Sequence, residues 1–339
     1  MSASRPPANL TDAMRLAGAF CVVWYHNPFY WNLHEHTQWV DAMKLLFLGW
    51  SMPFFYAMSA RFAFAATDVS RHLQRVLRLA ALISFYTVLY ELLHWNQPSS
   101  LASRCFADSA TGCSPGLVFE TLRNVGNTPG YYLSDLLVMH LLAMLVAVRP
   151  VIGKALALVG AIALFAGWIR LGGLFLNPLG LFGLSAALGY LYLVAPRLAG
   201  DRRIMLAPLP TAALVLGFVL SWGIANLLQA QNQYWSDTSN ILVFVPLLLL
   251  FMALNDLVRP EGRLALLVSE WGRKYAFGIF IFHQLCFDIL APRVAQVVTK
   301  LMHGDNALAL YVLTSIVISA AATIVTAIIR KAAPVLLTP

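Results

Sequence analysis

Ala307 to Ile329 reads ALALYVLTSIVISAAATIVTAII and is followed directly by Arg330 and Lys331. A run of this length without Asp, Glu, Lys, Arg or His makes a helix of about 35 Å, enough to cross the roughly 30 Å hydrocarbon core of a bilayer. The basic pair beyond it is the flank expected on a cytosolic side. Working outward, comparable runs lie at about Leu45 to Thr67, Leu77 to Trp95, Tyr131 to Val148, Val151 to Trp168, Leu171 to Val194, Met205 to Leu228, Ile241 to Leu257 and Tyr275 to Leu290. With the first run, which contains Asp12, Arg15 and His26, ten spans are expected.

Composition agrees. Of 339 residues, 60% are hydrophobic and 11% charged, with a mean hydropathy of +0.71, whereas soluble domains carry about 25% charged residues. This excludes an ordinary soluble enzyme, a disordered or collagen-like chain and a disulfide-rich secreted scaffold. The expected architecture is all-α: a polytopic transmembrane helical bundle, a single membrane domain over residues 1–339 with no appended soluble domain. The first run is read as retained rather than as a cleaved signal peptide, because charges sit within it and no small-residue cleavage site follows.

The net charge of +8 is read as cytosolic loops rather than nucleic-acid binding. With the N-terminus inside, sixteen Lys and Arg residues fall on the cytosolic side and seven on the other, which favours N-in, C-in topology. Cys21 and Cys286 fall inside spans as small apolar packing residues. Cys105 and Cys113 share the long outer loop from about Asn96 to Gly130. An oxidising compartment would let them pair, and two unpaired thiols are the other reading.

Ionisable groups inside hydrocarbon are costly, so those within spans are candidate functional residues. Arg15 and His26 are eleven positions apart, roughly 1100° around a helix, so they share a face about 16 Å apart along the axis. Taken singly, Arg15 reads equally well as a snorkelling anchor, and His26 as an interfacial, hydrogen-bonded side chain. In the inner loop Val69 to Arg78, VSRHLQRVLR, the offsets of four and three place Arg71, Arg75 and Arg78 on one stripe if the segment is helical. Such guanidinium forks suit phosphate, and anionic lipid head groups would suit them too. His283 lies about 12 Å beyond Tyr275, near mid-membrane. Asp135, Asp288 and Glu91 are carboxylates at about the depth of His26, and any one of them is placed to hold its imidazole. Each of these polar residues has a plainer reading as an inter-helix hydrogen bond. No Gly-rich phosphate loop, paired-Cys metal pattern or HExxH helix is present in the sequence, so no metal is expected.

Together these residues resemble the integral-membrane acyltransferases of acyltransferase family 3. Asp12-Ala13-Met14-Arg15 through Tyr25-His26 is similar to that family's opening Asp, Arg and His. Met52-Pro53-Phe54-Phe55-Tyr56-Ala57-Met58-Ser59 resembles its Phe-Phe-x-x-Ser-Gly segment, with Ala60 where Gly is usual. Arg75-Val76-Leu77-Arg78 resembles its paired-Arg motif. Trp271-Gly272-Arg273 followed by Gly278 to His283 resembles its Tyr-Leu-x-His ending, with Phe280 in place of Tyr.

The resemblance runs from about Leu10 to Ile329. It implies a bacterial inner-membrane O-acyltransferase that takes an acyl group from cytosolic acyl-CoA, acetyl-CoA being the first expectation. The acceptor is a hydroxyl of an extracytoplasmic or lipid-linked glycan such as exopolysaccharide or lipopolysaccharide. Acyl-CoA is then a co-substrate, no tightly bound cofactor is expected, and the other partners are the acceptor and membrane lipids. In this scheme His26, Arg15 and Asp12 are catalytic, and Arg71, Arg75 and Arg78 hold the CoA head. His283, Asp135, Glu91 and Asp288 face the acceptor. Two readings from other classes also fit the sequence. One is a transporter or flippase for a lipid-linked sugar or anionic solute, to which Asn177-Pro178 lends a possible helix break. The other is a non-catalytic subunit of a polysaccharide export complex.

Overall fold

The structure is a computed structural model, and it describes residues 10–29, 51–93, 130–149, 151–152, 261–302 and 306–337. Among the described residues the regular elements are all helical and no strand occurs. The helices are α1 (Leu10–Tyr25), α2 (Ser51–Ala65), α3 (Val69–Leu93), α4 (Gly130–Val148), α5 (Arg263–Met302) and α6 (Ala307–Ala332), followed by a 3-10 turn at Pro334–Leu337. Helices α3, α5 and α6 are each long and apolar enough to cross a membrane. The expected spans from Val151 to Leu257 lie outside the described residues, apart from Val151 and Ile152, as do Cys105 and Cys113.

The chain divides into two compact units. In the first, α1 packs on α5 and α5 on α6. Asp12 meets Gly272 and His26 meets His283, so α1 and α5 run parallel. Thr326 meets Gly278 and Arg330 reaches Lys274, so α6 runs antiparallel to α5. The buried side of α6, Leu310, Thr314, Ile318, Ala322 and Thr326, recurs every four residues, as one stripe of a helix must. Its other side shows Ile316, Ile324 and Ile328, the last two each about 60% exposed. An apolar exposed face of this kind is stable against acyl chains and costly against water.

Two glycines allow the close approach. A Cβ at Gly278 would fall 2.2 Å from Thr326 Cγ2, and one at Gly272 would overlap the main chain of α1. Small residues at such contacts let backbones pack where no hydrophobic driving force separates protein from lipid.

In the second unit α3 packs on α4. Leu79, Leu82, Tyr86 and Tyr90 form the buried stripe of α3, and Leu133, Leu136, Met139 and Ala143 that of α4. Tyr86 Oη donates to the Leu336 carbonyl at 3.3 Å, tying down the terminal 3-10 turn.

The structure extends two elements beyond their expected limits. The segment Val69 to Arg78, read as a loop before a span, forms the first turns of the 25-residue helix α3. Asp68 starts it: its Oδ1 accepts the Ser70 N–H and hydroxyl, each at 2.9 Å, and the Arg71 N–H at 3.4 Å. These are the donors a helix start leaves without intrahelical partners. Likewise α5 begins at Arg263 rather than near Tyr275 and runs for 40 residues, about 60 Å or twice the thickness of a hydrocarbon core. Span limits set by hydropathy mark where the apolar surface ends, and backbone hydrogen bonding continues past that point.

Candidate active site

Along the parallel pair α1 and α5, a polar cluster lies at each end of α1. At the amino-terminal end, Arg15 Nη1 donates to Asp12 Oδ1 at 3.0 Å, and Arg273 Nη1 lies 3.5 Å from Asp12 Oδ2. The offset of three between Asp12 and Arg15 stacks them on one helix face. The Asp12 side chain is 7% exposed and each arginine side chain 31%. One carboxylate thus sits between two cations that keep part of their surface open, an arrangement suited to meeting an anionic group.

Where α1 ends, His26 continues the helical pattern, its N–H reaching the Val22 carbonyl at 3.1 Å. Its Nδ1 lies 3.2 Å from Nε2 of His283, and the two rings stack with centroids 5.2 Å apart and planes 23° from parallel. His283 is 1% exposed. Its Nδ1 lies 2.7 Å from the Phe280 carbonyl oxygen, one turn back on α5. Phe280 and Phe287 flank the His283 ring, and Phe55 of α2 packs on Phe280 at 5.7 Å. The two motif segments from spans two and nine therefore meet through these aromatic rings.

The end of α1 is anchored to α6. Asn27, 2% exposed, donates through Nδ2 to the Tyr311 carbonyl at 2.8 Å and to Ser315 Oγ at 2.7 Å. Its Oδ1 accepts the Phe29 N–H at 2.9 Å. Tyr311 Oη in turn donates to the Trp24 carbonyl at 3.0 Å. These bonds fix the backbone on both sides of His26.

The expected residues thus fall into separate groups. Asp12, Arg15, His26 and His283 lie in the first unit and along one helix pair. Asp288, also on α5, is exposed and accepts from Gln284 at 3.1 Å. Arg71, Arg75 and Arg78 lie on α3 in the second unit, with Arg71 and Arg78 exposed and Arg75 half-buried. Glu91 is half-buried near the other end of α3. Asp135 is on α4, and its side chain lies outside the described residues. Among the described groups, Nδ1 of His26 meets Nε2 of another histidine, and the Tyr25 ring packs edge-on against it.

Four residues have partners that the sequence did not assign. Arg273 stands in a quoted motif, which does not say what its side chain meets. Asn27 follows His26 directly, and an amide at the end of an apolar run is a usable signal for an inter-helix bond. His72 and His140 form a second buried pair in the other unit, with Nδ1 atoms 3.1 Å apart and His72 Nε2 3.0 Å from the Ala66 carbonyl oxygen. Seven-residue spacing to Leu79 on α3 and four-residue spacing to Leu136 on α4 mark both positions as buried, but pairing needs the helix register. No group of three or more metal-ligating side chains occurs among the described residues.

The family model of acyltransferase family 3, described as an acyltransferase domain, matches residues 11–331. The chain belongs to acyltransferase family 3. Both polar clusters of the α1/α5 pair fall within that domain, and together with the apolar helices the match makes the protein a membrane acyltransferase. No curated protein and no solved structure matches this family member.

Proposed function

We propose that the protein is an O-acyltransferase of a bacterial inner membrane, moving an acetyl group from cytosolic acetyl-CoA to a hydroxyl of an envelope or lipid-linked glycan. The observation that carries this reading is the His26–His283 contact, which holds an imidazole at the end of α1 within the acyltransferase domain.

The acceptor hydroxyl attacks the thioester carbonyl carbon while His26 takes its proton as general base. The tetrahedral intermediate collapses with cleavage of the carbon–sulfur bond. The thiolate leaves and takes the proton back from His26, so acyl-CoA and alcohol become ester and CoA with no net proton change. Arg15 and Arg273 neutralise negative charge on the donor at the other end of the helix pair. Arg71, Arg75 and Arg78 receive the CoA phosphates as bidentate partners.

The decisive experiment supplies purified protein in lipid nanodiscs with acetyl-CoA and follows free CoA with and without a glycan acceptor. Acceptor-dependent release that disappears in His26→Ala is expected. Undiminished release in a correctly inserted His26→Ala protein refutes the assignment. Arg75→Ala with Arg78→Ala is expected to weaken acyl-CoA binding, and unchanged affinity would return that stripe to lipid head groups.

A further inference from the structure

We infer that His283 is a positioning residue that fixes the tautomer of His26 and so makes Nε2 of His26 the reacting atom. The inference rests on the reading that His26 carries out the chemistry, and it replaces the expectation that His283 holds the acceptor.

A carbonyl oxygen only accepts, so the 2.7 Å contact to Phe280 requires the hydrogen on Nδ1 of His283. His283 is buried between Phe280 and Phe287, surroundings that call for a neutral ring, and a neutral ring has one N–H. Its Nε2 therefore presents a lone pair. That lone pair lies 3.2 Å from Nδ1 of His26, and two nitrogens at this distance need one hydrogen between them. Only His26 has it to give. Nδ1 of a neutral His26 is thus the protonated atom, and its Nε2 keeps the lone pair that a base or nucleophile uses.

The usual partner of a catalytic imidazole is a carboxylate, which orients the ring and stabilises its charged form. Here the acceptor is a second imidazole, itself held by a main-chain carbonyl. It orients the ring without placing a fixed negative charge inside the bilayer, where such a charge is costly. When Nε2 takes a proton from the acceptor hydroxyl, the Nδ1–H remains donated to His283, and the chain of donors ends at Phe280. His283 touches no reacting atom in this scheme.

Two measurements on the full-length protein in nanodiscs test the wiring. With ¹⁵N-labelled histidine, and with the His26 signals identified by their loss in His26→Gln, wild type is expected to show a protonated Nδ1 and a lone-pair Nε2 at His26. His283→Phe keeps the ring volume but removes the acceptor, and the His26 tautomer is expected to change.

In acyl transfer, His283→Phe is expected to lower kcat by roughly 10²- to 10⁴-fold, the range for a misdirected catalytic imidazole, with KM for acyl-CoA unchanged. His283→Gln can accept the Nδ1–H through Oε1, and it is expected to regain at least about tenfold over the Phe variant, one hydrogen bond's worth. A wild-type His26 protonated on Nε2 overturns the inference. Equal kcat in the Gln and Phe variants, or a rise in KM alone, overturns it as well. Should wild type transfer no acyl group to any acceptor, the proposed function falls, and the nitrogen spectrum still decides the tautomer. If the Phe variant does not fold, the Gln variant and the wild-type spectrum decide it.

Discussion

Gly272 on α5 lies directly against the main chain of Asp12 on α1. A Cβ at that position would come within 1.8 Å of the Asp12 carbonyl oxygen. Both atoms are fixed to backbone, so no side-chain rotation relieves the overlap. Gly272→Ala is expected to push the helices apart and cost about 2 kcal/mol or more, as overpacking of a tight interface does. Thermal unfolding in detergent checks this, with a lowered Tm expected. A Tm equal to wild type would mean that the two helices do not approach as described.

Asp12 also joins the two helices through charge. Asp12→Ala leaves Arg15 and Arg273 facing each other without the carboxylate between them, and a loss of about 2 kcal/mol is expected for these charge-assisted contacts. Asp12→Asn keeps shape and an acceptor oxygen and is expected to lose less. A double-mutant cycle of Asp12→Ala with Arg273→Ala measures their direct coupling, expected near 1 kcal/mol at this 3.5 Å separation and partial exposure. Zero coupling would show that the pair does not tie α1 to α5.

Asn27→Leu removes one acceptor and two donor contacts at a buried position and leaves Ser315 with an unmet partner. A destabilisation of about 1–3 kcal/mol is expected. Because the same bonds hold the backbone beside His26, acyl transfer is expected to fall through kcat more than through KM. Unaltered kcat in a folded Asn27→Leu protein would separate this anchor from the chemistry.

Asp68 supplies a pH dependence outside the membrane. Hydrogen bonds from the Ser70 hydroxyl, then from the Ser70 and Arg71 amides, hold its carboxyl below the ordinary carboxylate range. A carboxyl lowered by folding stabilises above the unfolded value, about 4, and loses that contribution as pH falls through the folded value. Asp68→Ala is therefore expected to melt below wild type at neutral pH, with the gap closing under acid. A gap independent of pH would argue against the cap.

Much of the α1/α5 pair was legible in the sequence because its signals are local. The spacing of Arg15 and His26 requires only helix geometry, and the apolar runs require only a bilayer. The motif segments even placed His283 on the right helix. What stood opposite His26 was not legible. Asp288 sat at a plausible depth, but depth along a helix axis says nothing of rotation about it. Asp288 is five residues from His283, a difference of about 500°, so it leaves α5 roughly 140° away from the face that meets His26. The full length of α3 was hidden for another reason. Arg71, His72 and Arg75 end the hydropathic run, yet the Asp68 cap lets the backbone begin its hydrogen bonding before the apolar surface does.

The Asp12 and His26 contacts are both made between the same two rods, one near each end of α1. An axial slip of one rod along the other would be felt at both contacts together. A group that prises Arg273 from Asp12 therefore has a mechanical route to the imidazoles about 20 Å away along α1, with the glycine contact at Gly272 as the fulcrum.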